Sequence, residues 1–244
     1  IGKESALLLA SKGCEITLVA RNQEKLSKTK SELSIEYCQE HQTICADFDN
    51  SQDLKKKIEI HLNYLGKPIN ILVNNSGGPK GGPLINASEE EFRVAFERLL
   101  VCNHILARAV FPGMKEIGSG KIINIISTSV KQVIPGLGVS NTIRGSVAQW
   151  GKTLAIELGE YGVCVNNILP GYTATDRLKY LAQSKANQLG VDVEDIHNQW
   201  AENTSLKRIG TANEIANTVL FLASDESSYI TGHNFSVDGG RYSA

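Results

Sequence analysis

The run from Lys121 to Thr175 constrains the fold more than any other stretch of the chain. Two apolar segments, KIINIIS and VCVNNILP, flank a long segment of helical character from Ser140 to Gly159. Strands that are apolar on both faces are buried on both faces, and two strands joined by a helix run parallel. An open sheet of such strands gathers its ligand at their carboxyl ends. Ser127, Pro170, Gly171 and Thr175 therefore mark the edges of the expected site.

The rest of the chain repeats this alternation. Helical periodicity over 1–12 stops at Gly13, and an apolar strand follows over 14–20. A polar helix is expected over Glu24–Cys38, a strand over 43–48 and a helix over 51–65. Another strand, 69–75, runs into the glycine-rich loop Asn74–Pro83, which is either a flexible crossover or a place where a ligand approaches the backbone. Ser88 with Glu91 predicts a capping box opening a helix over 89–117. The polar stretch 176–210, after the second long strand, reads as small helices forming a lid, and 212–224 is helical before a last strand within HNFSVDGG. This pattern gives one domain over 1–244: an α/β, doubly wound parallel sheet of Rossmann type, with helices on both faces in three layers. The chain opens on a helix, so a first strand is expected ahead of Ile1, outside this sequence. Gly2 is then either the last glycine of a phosphate-binding turn or simply a glycine that opens a helix.

Composition excludes several classes of function. The formal net charge is -1 with 21% charged residues, and nothing points to nucleic acid or an anionic membrane surface. No apolar run approaches the roughly 18 residues of a membrane span. The cysteines Cys14, Cys38, Cys45, Cys102 and Cys164 lack metal-ligand spacing and read as free thiols of a cytoplasmic protein, with no metal site. Arg21 stands at the end of the second expected strand, where a dinucleotide fold reads the adenosine ribose. Ala20 holds the place of the usual acid, so the position favours NADP(H) over NAD(H); the plain alternative is a surface arginine.

Taken in order, Gly2 with its helix, Asp47, the Asn74-Asn75-Ser76-Gly77 loop, Ser127, Pro170-Gly171 with Thr175, and SYITGHNFSVDGG resemble the short-chain dehydrogenase/reductase family over essentially the whole chain. The likeness leans toward the branch of the 3-oxoacyl-acyl-carrier-protein reductases. The resemblance implies that Asp47 bonds the adenine, that Asn74, Ser76 and Gly77 line the cofactor, and that Pro170, Gly171 and Thr175 touch its nicotinamide end. It also implies a small-molecule carbonyl or alcohol substrate, and a homotetramer or homodimer packed through the Ser88–Lys115 and Ser140–Gly159 helices.

The departure from the family lies in the proton-handling residues. The family uses a serine, a tyrosine and a lysine, with a helix asparagine behind them. Counted from Ser127, the tyrosine position holds Ser140 and the lysine position Arg144, and no tyrosine lies between Tyr64 and Tyr161. The asparagine position holds Leu99, with Asn103 one turn on. A serine hydroxyl is far less acidic than a phenol, and an arginine holds charge but does not shuttle a proton. Tyr172, Lys131, Ser129 and Lys80 are the candidate replacement donors; in plainer terms Tyr172 packs under the lid and Lys131 is a solvated loop lysine. His104 and His197 read as ordinary helix residues, and His233 as a possible subunit contact. Two functions stay open: an NADP(H)-dependent oxidoreductase with a divergent proton donor, and a catalytically silent NADP(H)-binding sensor or partner subunit.

Overall fold

The computed structural model describes residues 1–242. Its strands are β1 (Thr17–Ala20), β2 (Gln42–Cys45), β3 (Ile71–Asn74), β4 (Gly120–Ile125), β5 (Val163–Pro170) and β6 (Asn234–Val237). Its helices are α1 (Gly2–Ala10), α2 (Gln23–Glu32), α3 (Ser51–Leu65), α4 (Glu89–Phe96), α5 (Cys102–Ile117), α6 (Gly138–Leu158), α7 (Asp176–Leu189), α8 (Val193–Glu202) and α9 (Ala212–Ala223). Every strand pairing among the described residues is parallel. The fold is the Rossmann-type α/β sandwich expected from the alternation, with α1 and α9 on one face and α5 and α6 on the other.

Successive apolar residues of one strand serve the two faces. Ile122 packs with Val110, Met114 and Ala155 of α5 and α6, while Ile123 packs with Leu9, Ile215 and Val219 of α1 and α9. This is why β4 reads as a continuous apolar run. Between these contacts the sheet carries a buried ladder of amides. Asn74, Asn124, Asn167 and Asn234 stand in register on four neighbouring strands. Asn74 donates to Asn124 at 2.8 Å, Asn124 to Asn167 at 2.9 Å, and Asn167 to Asn234 at 2.8 Å. Helix α6 crosses the ladder at Gly151, where a β-carbon would lie 2.5 Å from Asn167 Oδ1 and 2.9 Å from Asn124 Nδ2. Only glycine permits that approach.

Several expectations need correction. The single sheet is interrupted: β1-β2 forms one piece and β3-β4-β5-β6 another. A cavity of about 800 Å³, lined among others by Thr17, Val19, Ile71 and Asn74, lies between them. Asn74 Oδ1, the open end of the ladder, has no hydrogen-bond partner. Helix α2 stops at Glu32 rather than Cys38, because Leu33 turns extended and is buried against Ala6 and Ala10. The helix expected over 89–117 opens with the Ser88–Glu91 capping box but carries a π-helical turn over Glu97–Val101, so α4 and α5 do not share one register.

Replacing Asn124 with alanine strands the amides of Asn74 and Asn167 in the interior. The expected loss is about 2–4 kcal/mol, read as a lower urea midpoint. Gly151→Val should also destabilise, by about 1–3 kcal/mol of overpacking. Full stability in either variant would remove the ladder from its structural role.

Candidate functional site

The carboxyl ends of β3, β4 and β5 deliver the site. Ser127 lies just past β4 in an extended conformation, and its Oγ accepts a hydrogen bond from the Ser129 amide at 3.1 Å. Ser140 is buried in the first turn of α6. Its Oγ accepts from Arg144 Nε at 3.2 Å, one helical turn on. Arg144 Nη1 then donates to the carbonyls of Ile126 at 2.5 Å and Ile125 at 3.4 Å. One guanidinium thus clamps the start of α6 to the end of β4, one peptide from Ser127.

The guanidinium of Arg144 is enclosed by protein, and its pKa is pushed down to about 10, by burial first and by the neighbouring Arg177 charge second. At neutral pH it stays protonated, so it supplies a fixed charge and no proton relay. Thr128 and Ser129, beside Ser127, are buried with hydroxyls that find no partner among the described residues.

Around this cluster lie the residues expected to cradle a cofactor. Gly2 is pressed against Asn75, whose Nδ2 would be 2.6 Å from an added β-carbon. Gly77 has open space on that side. Ser76 is half-buried in the same loop. At the far end Arg21 is exposed just past β1, and Asp47 accepts from the Asp49 amide at 3.1 Å. Asp49 is held in turn by Arg98, which donates to it at 2.5 and 2.6 Å and keeps its carboxyl below the usual range. Pro170 ends β5, and Gly171 donates to Val237 O at 3.0 Å, joining the ends of β5 and β6. Thr175 caps α7, accepting from the Leu178 amide at 3.3 Å. An open glycine loop, an orphaned buried amide oxygen at Asn74 and unpartnered hydroxyls beside Ser127 fit a polar ligand lying along these strand ends.

Other candidates fall elsewhere. Tyr172 stacks on Trp200 with ring centroids 5.0 Å apart, and the Arg241 guanidinium lies 3.9 Å from its centroid on the other contact. Burial raises its phenol pKa. It packs against α7 and α8, with no polar contact to Ser127 or Ser140 among the described residues. Lys131 ends the turn after Ser127 and is exposed, as is Lys80 in the glycine loop. Leu99 lies in the π-helical turn and packs with Ile143, Val147 and Leu169, while Asn103 is buried with its Oδ1 unpartnered. His104 accepts from Trp150 Nε1 at 3.4 Å or lies against it edge-on, and His233 packs edge-on against Phe235. The sequence reading missed Arg177, which reaches the glycine loop and donates to Pro79 O. Its signal was a cation in the first turn of a helix, against the usual charge preference there.

Residues 1–241 match the family model described as enoyl-(acyl carrier protein) reductase. The chain belongs to the short-chain dehydrogenase/reductase family. It is 32% identical to the short-chain reductase protein NovJ of Streptomyces niveus, over 99% of this chain and 89% of that protein. It is 31% identical to the 3-oxoacyl-[acyl-carrier-protein] reductase FabG of Staphylococcus epidermidis, over 99% and 94%. Among solved structures it resembles the L-sorbose reductase of Gluconobacter frateurii complexed with NADPH and L-sorbose, with a TM-score of 0.91, 27% identity, and coverage of 100% and 92%. Among the described residues no helix is long and apolar enough to cross a membrane.

The clamp between α6 and β4 can be tested directly. Arg144→Met leaves Ser140 and two strand-end carbonyls without their charged donor. It should lower stability by about 1–3 kcal/mol, read from the urea midpoint. Arg144→Lys should recover part of the loss. A fully stable methionine variant would show that the clamp holds nothing.

Proposed function

We propose that this short-chain dehydrogenase/reductase is an NADP(H)-dependent oxidoreductase that interconverts a carbonyl and an alcohol on a small-molecule substrate, with a non-standard proton donor. The observation that carries the reading is Ser127 just past β4 beside the glycine loop that follows β3, at the strand ends where a parallel sheet gathers its ligand. When bound, the cofactor supplies the hydride. Gly2 would border its phosphates, Asn74, Ser76 and Gly77 would line it, Asp47 would bond its adenine, and Pro170, Gly171 and Thr175 would touch its nicotinamide end. Arg21, exposed at the end of β1, meets the 2′-phosphate, which is the reason to favour NADP(H) over NAD(H). The solved complex of L-sorbose reductase with NADPH supports the same choice.

Ser127 orients the carbonyl oxygen through its hydroxyl. Arg144 holds positive charge behind Ser140, bonds the ribose and stabilises negative charge developing on that oxygen. Proton delivery falls to a group outside the clamp. Tyr172 and Lys131 are the candidates: Lys131 follows the turn that Ser127 opens, and Tyr172 follows Gly171. The segment 176–210, with α7 and α8, acts as the substrate lid over a single domain. The exposed side chains of Phe96, Ile117 and Ile156 on α4, α5 and α6 suit a homotetramer or homodimer, and the free cysteines suit the cytoplasm.

One observation favours a second reading. Ser140 is engaged as an acceptor by a permanently charged arginine, and no phenol or amine joins the cluster. A catalytically silent NADP(H)-binding sensor or partner subunit has the same geometry.

NADPH titration by fluorescence should show saturable binding, tighter than for NADH. No response to either nucleotide would overturn both readings. NADPH consumption with a panel of ketones and 3-oxoacyl thioesters separates them. In an active enzyme Ser127→Ala should lower kcat about 10- to 100-fold, and loss of the true donor about 10²- to 10⁴-fold. Binding without turnover on any substrate would leave the silent reading.

A further inference from the structure

Arg144 and Arg177 reach one point from two different helices. A β-carbon placed on Gly78 would lie 3.2 Å from Arg144 Nη2, 3.8 Å from Arg177 Nη2 and 3.9 Å from Arg177 Nε. Gly78 has no side chain, and both guanidinium groups close on the place where one would begin.

Neither arginine is paired with a carboxylate among the described residues. Their hydrogen bonds go to neutral oxygens only: Ser140 Oγ and the Ile125 and Ile126 carbonyls for Arg144, and the Pro79 carbonyl for Arg177. Arg144 Nη2 and Arg177 Nε and Nη1 keep protons without an acceptor there. Two half-buried like charges without a counter-ion are costly to hold side by side. Burial and the mutual charge do lower Arg144, and burial lowers Arg177. Arg177 also sits in the first turn of α7, at the positive end of the helix. The neighbouring acid, Asp176, is exposed and pairs with neither arginine among the described residues. Lys80 and Lys131, the other charges on the bordering loops, are exposed and add to the positive field.

A single anion relieves all of these strains, and a carboxylate matches the planar fork of a guanidinium. The phosphate-binding end of the cradle lies at Gly2 against Asn75. Gly78 lies further along the loop, against the elements that carry Ser127 and Ser140. We infer that this is a carboxylate subsite, and that the substrate is an oxo or hydroxy acid held mainly by Arg177, with the Arg144 charge behind it. The inference rests on the oxidoreductase reading above and narrows its substrate.

The test compares pyruvate, acetoacetate and phenylpyruvate with their methyl esters. Each is titrated by calorimetry into wild type, Arg177→Ala and Arg177→Lys, with and without NADPH. In wild type with NADPH at least one acid should bind about 10- to 100-fold tighter than its ester, the worth of one or two charged hydrogen bonds. The preference should vanish in Arg177→Ala and return in part in Arg177→Lys, while NADPH affinity is unchanged. If no acid is preferred over its ester, the inference is overturned. It is also overturned if Arg177→Ala weakens NADPH and leaves the ratio intact, because the arginines then serve the cofactor's phosphates. If wild type binds no NADPH, the oxidoreductase reading fails instead, and the ratio in the NADPH-free arm still decides the anion subsite.

Discussion

The amide ladder through Asn74, Asn124, Asn167 and Asn234 is the interaction on which the rest of the structure hangs. Asn74, Asn124 and Asn167 are buried and each donates to the amide of the next strand, so a slip of any strand would strand polar groups in the interior. Hydrophobic contacts alone would tolerate such slips far better, because isoleucine and valine pack in many registers. The ladder therefore aligns the carboxyl ends of β3, β4 and β5, and those ends carry the glycine loop, Ser127 and Gly171. Gly151 lets α6 settle on the ladder, which fixes the height at which Ser140 and Arg144 meet the end of β4. Register in the sheet thus becomes geometry in the site.

At the end of β4 the Ser140–Arg144 pair sets a fixed charge. A tyrosine and lysine would form an acid/base couple, with the ammonium lowering the phenol pKa. Ser140 and Arg144 form a hydrogen-bonded pair in which the guanidinium keeps its charge at neutral pH. The pair still carries positive charge to the same corner and binds the strand-end carbonyls more extensively than a single ammonium could. Such an arrangement is suited to holding anions and polarised oxygens. Arg177 extends that character to the lid, since α7 brings a second guanidinium to the same opening in the glycine loop.

The sequence was informative where one local rule decided the outcome. The capping box of Ser88 and Glu91 formed as its spacing required, and helix 51–65 appeared over the range its periodicity gave. Apolar β4 and β5 read correctly because burial on both faces removes alternation. The helix expected to reach Cys38 stopped at Glu32, because Leu33 was drawn under α1, a contact remote in sequence. The π-helical turn over Glu97–Val101 was also hidden, since its composition is that of any helix. Ser127, Ser140 and Arg144 could be aligned by spacing alone because they lie on one strand–helix unit. Arg177 could not, because its relation to Gly78 spans the lid and the glycine loop.

The sequence by itself determined the order of strands and helices and the parallel sheet, since these follow from periodicity, capping and burial on both faces of the strands. Only the tertiary structure decided which side chains meet. Long-range packing set Tyr172 against α7 and α8 and turned two unrelated arginines into neighbours. Distances across a fold depend on how layers pack, and no local pattern in the chain encodes them.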